Sequence, residues 1–109
     1  MHELAITQSV IDAIVDHTGE ARVRRVSLEI GTLSGVLAES VRFCFDLVAR
    51  GTTVEGARLV ITQPPARASC RDCEREFGVD DLIALCPCGS ANVEVLTGRQ
   101  LRIASVEVS

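Results

Sequence analysis

Residues 70–89 have the sequence CRDCEREFGVDDLIALCPCG, which holds four of the chain's five cysteines in two close pairs. Two residues separate Cys70 from Cys73, and one residue separates Cys86 from Cys88. Tetrahedral zinc takes thiolates from two short loops brought together, and this spacing supplies two such loops. Four protein ligands leave no open coordination position. We therefore predict a structural Zn(II) ion on these cysteines, whose binding energy stabilises a small lobe formed by residues 66–97.

A disulfide or a redox pair is the alternative interpretation of the cysteine pattern. The N-terminus lacks a basic region followed by an apolar run and a cleavage site, and no run of apolar residues is long enough to span a membrane. We therefore expect a cytosolic protein with no membrane partner. Thiols stay reduced in the cytosol, which favours metal ligation over a disulfide.

The charge of the chain argues against nucleic acid as a partner. The formal net charge is −4 and aromatic residues make up 3% of the chain. The chain therefore has no excess positive charge to attract phosphates and few aromatic rings to stack on bases. Residues 66–97 themselves carry three arginines against six acidic residues. A nucleic-acid-binding zinc ribbon is thereby disfavoured.

The rest of the chain has the periodicity of helices and strands. Apolar residues at helical spacing predict helices at 3–17 and 38–50. Alternating apolar and polar residues predict strands at 25–30 and 57–63, and alternation returns over 101–108. On the second predicted helix, Cys44 is expected to be a small buried hydrophobic residue rather than a ligand.

In the last strand the apolar positions shift by one residue between Ile103 and Val106, which predicts a β-bulge near Ala104 and Ser105. This strand most simply rejoins the sheet of the first half. The predicted fold is therefore α+β, with two helices on a three-stranded sheet and an inserted zinc-ribbon-like lobe. The expected domains are residues 1–65 plus 98–109, and residues 66–97.

The N-terminus, Met1-His2-Glu3, offers a second and different metal site. The Met1 amine, the His2 amide and the His2 imidazole can bind one ion through short chelate rings, and nitrogen donors of this kind suit Ni(II) or Cu(II). The simpler alternative is that His2 is an idle surface residue. His17, near the end of the first predicted helix, is expected to complement the helix dipole.

Four segments together give the chain a family resemblance. They are Met1-His2-Glu3-Leu4, Ser27-Leu28-Glu29-Ile30-Gly31, Phe43-Cys44-Phe45-Asp46 and Cys86-Pro87-Cys88-Gly89-Ser90. In this order they resemble the HypA/HybF family of nickel metallochaperones, which act in hydrogenase maturation. The resemblance covers essentially the whole chain. It departs from the family pattern at Pro87, where two residues usually separate the cysteines.

The resemblance implies transient Ni(II) bound by His2 with the Met1 amine and nearby amides, and supported by Glu3. It implies Zn(II) on the four clustered cysteines. It also implies docking to a companion GTPase and to the large-subunit precursor of a NiFe-hydrogenase. Some members are expected to add a side-chain nickel ligand after the first strand, where only Glu39 lies close in this chain. The simpler interpretation of Glu39 is a charge that complements the dipole of the second helix.

The leading hypothesis for function is thus a nickel metallochaperone without catalysis of its own. The alternative is a zinc-ribbon adaptor between proteins, with no nickel role for His2. An enzyme is not expected, because the chain lacks a P-loop, a G-x-S-x-G elbow and an H-E-x-x-H helix.

Overall fold

The computed structural model describes residues 3–80 and 84–109. The described helices and strands are α1 (Glu3–Thr18), β1 (Val23–Ile30), α2 (Ala38–Ala49), β2 (Arg58–Thr62), β3 (Ala66–Cys70), β4 (Glu76–Val79), β5 (Val93–Thr97) and β6 (Leu101–Val108). The strands form two separate sheets, in the orders β2-β1-β6 and β4-β3-β5. We call the first sheet with α1 and α2 the helical lobe, and the second sheet with its loops the cysteine lobe.

The first sheet is mixed, and β1 is its central strand. It pairs in parallel with β2 and antiparallel with β6. Its alternation places Val26, Leu28 and Ile30 in the core. The predicted rejoining of the last strand to the first sheet is confirmed, and so is the α+β fold class.

The predicted β-bulge in the last strand is also confirmed. Ser27 pairs with Ser105 and Leu28 pairs with Ile103, so Ala104 is the extra residue on β6. Because of this extra residue, Ile103 and Val106 both pack against the core although they are three residues apart.

Both helices cover one face of the first sheet and supply most of its core. Ile11 and Ile14 of α1 are buried, as are Val41 and Phe45 of α2. The two helices end within one residue of the predicted positions. Thr7 is also buried on α1, where its hydroxyl donates to the Glu3 carbonyl at 2.6 Å.

The cysteine lobe has a smaller core below its own sheet. β3 lies between β4 and β5 and pairs antiparallel with both. The buried residues of this lobe are Ala66, Ala68, Cys70, Phe77, Val79 and Cys86. Leu33, from the loop after β1, packs against this core and so links the two lobes.

The lobes meet where Gly31, Gly98 and Ala66 come together. The Gly31 and Leu33 amides donate to the Gln100 and Gly98 carbonyls at 2.7 and 2.6 Å. Gly98 has a φ of +111°, and a Cβ there would lie 2.6 Å from the Ala66 Cβ. Glycine is therefore needed at 98 both for its backbone conformation and for space.

Candidate metal centre

The first pair of cysteines lies on a tight turn that follows β3. The Cys70 amide donates to the Arg75 carbonyl at 2.8 Å, and the Glu74 amide donates to the Cys70 carbonyl at 2.9 Å. Glu74 has a φ of +62°, a backbone conformation that is uncommon for residues other than glycine. These bonds close the loop and turn the Cys73 side chain back towards Cys70.

The second pair lies on a loop that is shorter by one residue. The Cys86 amide donates to the Ser90 carbonyl at 2.9 Å, and the Gly89 amide donates to the Cys86 carbonyl at 2.8 Å. Gly89 has a φ of +96°, which suits glycine. The short Cys-Pro-Cys loop is therefore closed by its own backbone hydrogen bonds.

The two loops bring all four sulfur atoms together. The Sγ atoms of Cys70, Cys73, Cys86 and Cys88 lie within 4.8 Å of one another. Cys70 and Cys88 are 3.8 Å apart at sulfur, and Cys73 and Cys86 are 3.5 Å apart. Sulfurs about 2.3 Å from a tetrahedral zinc would be about 3.8 Å from each other. The donor set therefore fits a four-thiolate metal centre.

Backbone amides point at two of the sulfurs and help to set their protonation. The Cys73 amide donates to Cys70 Sγ at 3.4 Å, and this bond, with the Asp72 amide and neighbouring thiols, lowers the pKa of Cys70 to about 7 despite burial. The Cys88 amide likewise donates a hydrogen bond to Cys86 Sγ at 3.5 Å. That bond lowers the pKa of Cys86, but burial and the adjacent thiols outweigh it and raise the pKa to about 12. A bound cation would replace the protons that the crowded thiols retain.

A polar network ties the two cysteine loops together from outside the centre. The Asp72 carboxylate accepts hydrogen bonds from the Ser90 hydroxyl and, at 3.3 Å, from the Asn92 amide nitrogen. Arg71 in turn donates to Asn92 Oδ1 at 3.3 Å and to the Val93 carbonyl at 3.2 Å. Both hydrogen bonds lower the pKa of the Asp72 carboxyl, and the one from Ser90 has the larger effect. We call this network the loop clip.

The loop clip was not predicted from the sequence. The available signal was the presence of an acid between the first two ligands and of Ser90 just after the second pair. Ligating loops are commonly held by hydrogen-bonding partners outside the ligand set, so polar residues next to the cysteines were candidates.

The predicted nickel ligands Met1 and His2 lie outside the described residues. Glu3, the third predicted residue, begins α1. Its carboxylate accepts a hydrogen bond from the Leu37 amide at 3.3 Å, just before α2 begins. The chain immediately after His2 is thus fixed to the N-terminal end of α2, where a carboxylate is favourable.

Among the described residues, the remaining candidates are not part of the four-cysteine group. Cys44 is half-buried on α2, which corrects the expectation of a buried residue. Glu39 lies exposed in the first turn of α2, and His17 lies exposed in the last turn of α1.

The fold and the centre together define a small metal-binding α+β protein with a zinc-ribbon-like lobe. None of its described helices has the length and apolar character needed to cross a membrane.

Comparison with known proteins identifies the family. The model described as "Hydrogenase/urease nickel incorporation, metallochaperone, hypA" matches residues 1–108. The hydrogenase maturation factor HypA of Geotalea daltonii is 46% identical over 109 residues, covering 99% of both chains. That of Trichormus variabilis is 42% identical over 108 residues, covering 99% of this chain and 96% of its own. The chain belongs to the HypA family.

A solved structure agrees with this assignment. The solution structure of the nickel metallochaperone HypA from Helicobacter pylori has a TM-score of 0.70 and 27% sequence identity, and the match covers 99% of this chain and 97% of that one. The expected resemblance to this family is therefore confirmed. The family is described as a metallochaperone, a class of metal carriers rather than of enzymes.

Proposed function

We propose that this protein binds Ni(II) at Met1 and His2, carries it without catalysing a reaction, and delivers it during maturation of a NiFe-hydrogenase. The family assignment supports nickel handling, and the anchoring of Glu3 on the Leu37 amide is the structural observation that carries the site. A fixed third residue restricts the two residues before it. Less conformational freedom is then lost when their donors converge on one ion.

Glu3 begins α1, directly after the two residues that we propose as nickel ligands. Because the Glu3 carboxylate is held by Leu37, we assign it an anchoring role and assign coordination to nitrogen.

We further propose that Zn(II) occupies the four-cysteine centre and has a structural role. Four converging thiols suit zinc, and a closed set of protein ligands leaves no position for a substrate. Residues 66–97 would then form an inserted zinc-binding domain, and residues 1–65 with 98–109 the nickel-binding domain. Thiolate ligation needs reduced cysteines, which the cytosol maintains.

Delivery needs partners, and we propose two of them. A companion GTPase would supply the nucleotide-dependent step, and the large-subunit precursor of the hydrogenase would receive the ion. The family description names nickel incorporation into hydrogenase and urease, so a urease precursor is a second recipient to test. Nickel transfer from loaded protein to each precursor, with and without the GTPase, tests this directly.

Nickel binding is tested by calorimetric titration of zinc-loaded protein with a native, untagged N-terminus. We expect near-stoichiometric binding that is lost in His2→Ala and kept in His17→Ala, the matched control at the chain's only other histidine. One extra residue before Met1 should also weaken binding, because it removes the α-amine from the chelate. Equal binding by wild type and His2→Ala would contradict the nickel site and favour the adaptor alternative.

A further inference from the structure

The helices α1 and α2 cover one face of the first sheet, and the other face carries a row of charged side chains. Arg58 on β2 pairs in register with Arg25 on β1, and Arg25 pairs in turn with Glu107 on β6. Residues paired in this way point to the same face of a sheet. Val26, the next residue on β1, is fully buried in the core. The charged row therefore lies on the opposite face, away from the helices.

This row holds two guanidinium groups for one carboxylate. Arg25 lies beside Glu107, with Nε 3.4 Å from Oε2, and both side chains are about half exposed. In the part of the chain that the structure describes, the exposed side chain of Arg58 has no hydrogen bond and no ion pair. Like charges directly opposite each other on neighbouring strands destabilise a sheet. A second anion beside Arg58 would therefore relieve a repulsion that the chain itself leaves in place.

A β-bulge adds a third arginine next to the row. Val23 pairs with Val108 and Arg25 pairs with Glu107, so Arg24 is the extra residue on β1. In a regular strand, two consecutive residues point to opposite faces, but Arg24 and Arg25 are both exposed. The Arg24 side chain also has no polar partner among the described residues. Bulges often change the direction of a side chain beside a binding site, and this one increases the positive charge at the end of the row.

Short side chains beside the row form a shallow trough across the sheet. The next outward residues on the three strands are Val60, Ser27 and Ser105, which pair with one another in register. On the far side of these residues, Arg102 is bound to Glu29, with Nη2 2.6 Å from Oε2. The two rows of long side chains are four residues apart along β1, about 13 Å, which leaves room for one extended chain between them. Because the far row holds a neutral ion pair, the excess positive charge lies on the side of the arginine row.

We propose that this trough binds an extended acidic segment of a partner protein, whose carboxylates accept hydrogen bonds from Arg24, Arg25 and Arg58. A guanidinium can donate two parallel hydrogen bonds to one carboxylate, which makes arginine selective for such groups. Alternate residues of an extended chain point to the same side. A segment with an acidic residue at every second position therefore directs its carboxylates at the arginines together. A nucleic-acid backbone is disfavoured in the same place by the net charge of −4.

The position of the trough separates docking of the partner from the proposed nickel site. Arg25 lies near the start of β1, whereas Leu37, whose amide holds Glu3, follows the loop after the end of β1. Ile30, the last residue of β1, is five residues beyond Arg25, which corresponds to about 16 Å of strand. A segment in the trough would therefore leave the N-terminus uncovered. Docking there does not require nickel to be bound.

Fluorescence anisotropy tests the trough with a labelled peptide of alternating glutamate and threonine, titrated with the intact, metal-loaded protein. We expect saturable binding that weakens as salt rises from about 50 to about 500 mM. A peptide with glutamine in place of glutamate should not bind. Arg58→Glu should weaken binding roughly ten-fold, because it places like charges against the segment. Arg67→Glu makes the same charge change at an exposed position of β3, in the other sheet, and should bind as wild type does.

Two further variants and a competitor complete the test. Arg58→Lys keeps the charge but loses the paired hydrogen bonds, so its binding should lie between wild type and Arg58→Glu. Arg24→Gln should also weaken binding. Circular dichroism checks that each variant folds. Peptide binding that is absent up to about 1 mM protein, or that Arg58→Glu and Arg67→Glu weaken equally, would overturn the proposal. Displacement of the peptide by inorganic phosphate at equal concentration would also overturn it, because the face would then bind small anions.

Discussion

The two lobes are built from similar short strands but are stabilised by different means. The helical lobe buries large aliphatic side chains and Phe45 between its helices and sheet. The buried set of the cysteine lobe includes two alanines and two cysteines, with Phe77 and Val79 as its larger members. So few buried carbon atoms rarely stabilise a fold in water. From this difference we expect burial to stabilise the helical lobe and the proposed metal ligation to stabilise the cysteine lobe.

Removal of the metal should show the clearest difference in stability between the two lobes. When a strong chelator extracts the ion, we expect amide resonances of β3, β4 and β5 to collapse towards random-coil positions. Those of β1, β2 and β6 should stay dispersed, because their core contains no ligand. Two-dimensional NMR before and after chelation, with the ion restored as a control, measures this. A cysteine lobe that remained ordered without metal would contradict the comparison.

Truncation of a core side chain should instead destabilise the helical lobe. Phe45→Ala removes a ring that is 1% exposed and should lower the free energy of unfolding by about 3–5 kcal/mol. Phe43→Ala is the matched control on the same helix, because Phe43 is 69% exposed and its loss should have little effect. Chemical denaturation with the metal bound measures both. Similar losses in the two variants would show that α2 does not bury the face described.

A substitution at the junction of the lobes should destabilise both lobes. Gly98→Ala forces a Cβ against Ala66 and a strained φ, which we expect to cost on the order of 1–3 kcal/mol. Gly35→Ala is the control, since Gly35 has a φ of +77° but open space around it. The difference between the variants isolates the contact from the backbone strain. Hydrogen exchange should show loosened amides on both sides of the junction; a change confined to one lobe would argue against coupling there.

The loop clip should affect retention of the metal more than the fold. Asp72→Asn removes the charge that accepts from Ser90 and Asn92, and we expect roughly ten-fold weaker metal binding in competition with a chromogenic chelator. Glu76→Gln makes the same charge change at an exposed position of β4. Equal affinity in Asp72→Asn and wild type would show that the two cysteine loops hold each other without the clip.

The smallest expected effect concerns Glu29 on the outer face of the first sheet. The hydrogen bond from Arg102 lowers the pKa of Glu29, so its ionised form stabilises the folded state. That stabilisation is present above the pKa of the unfolded chain and is lost as pH falls through the lower folded pKa. In Arg102→Met the Glu29 pKa should rise towards its usual range. NMR titration of the carboxyl groups of both proteins measures the pKa of Glu29. An equal pKa in wild type and Arg102→Met would show that groups other than Arg102 lower it.

The helical lobe could be predicted closely from sequence, since its periods are long and its apolar faces clear. Even the bulge at Ala104 was visible as a shift in alternation. The strands of the cysteine lobe were not predicted, because their four or five residues carry little alternation and their pairing depends on the turns. The contact of Gly98 with Ala66 and the bond from Leu37 to Glu3 join residues distant in sequence. No local pattern records such contacts.

The way the chain enters and leaves the cysteine lobe has a consequence for folding order. The Thr97 hydroxyl donates to the Pro65 carbonyl at 3.1 Å and Thr97 pairs with Arg67, so the two ends of the segment lie side by side. For the helical lobe, the whole segment is therefore a loop whose ends already lie together. The entropy of closing a loop rises only with the logarithm of its length. We therefore expect that the first sheet can assemble before residues 66–97 bind the metal proposed for their cysteines.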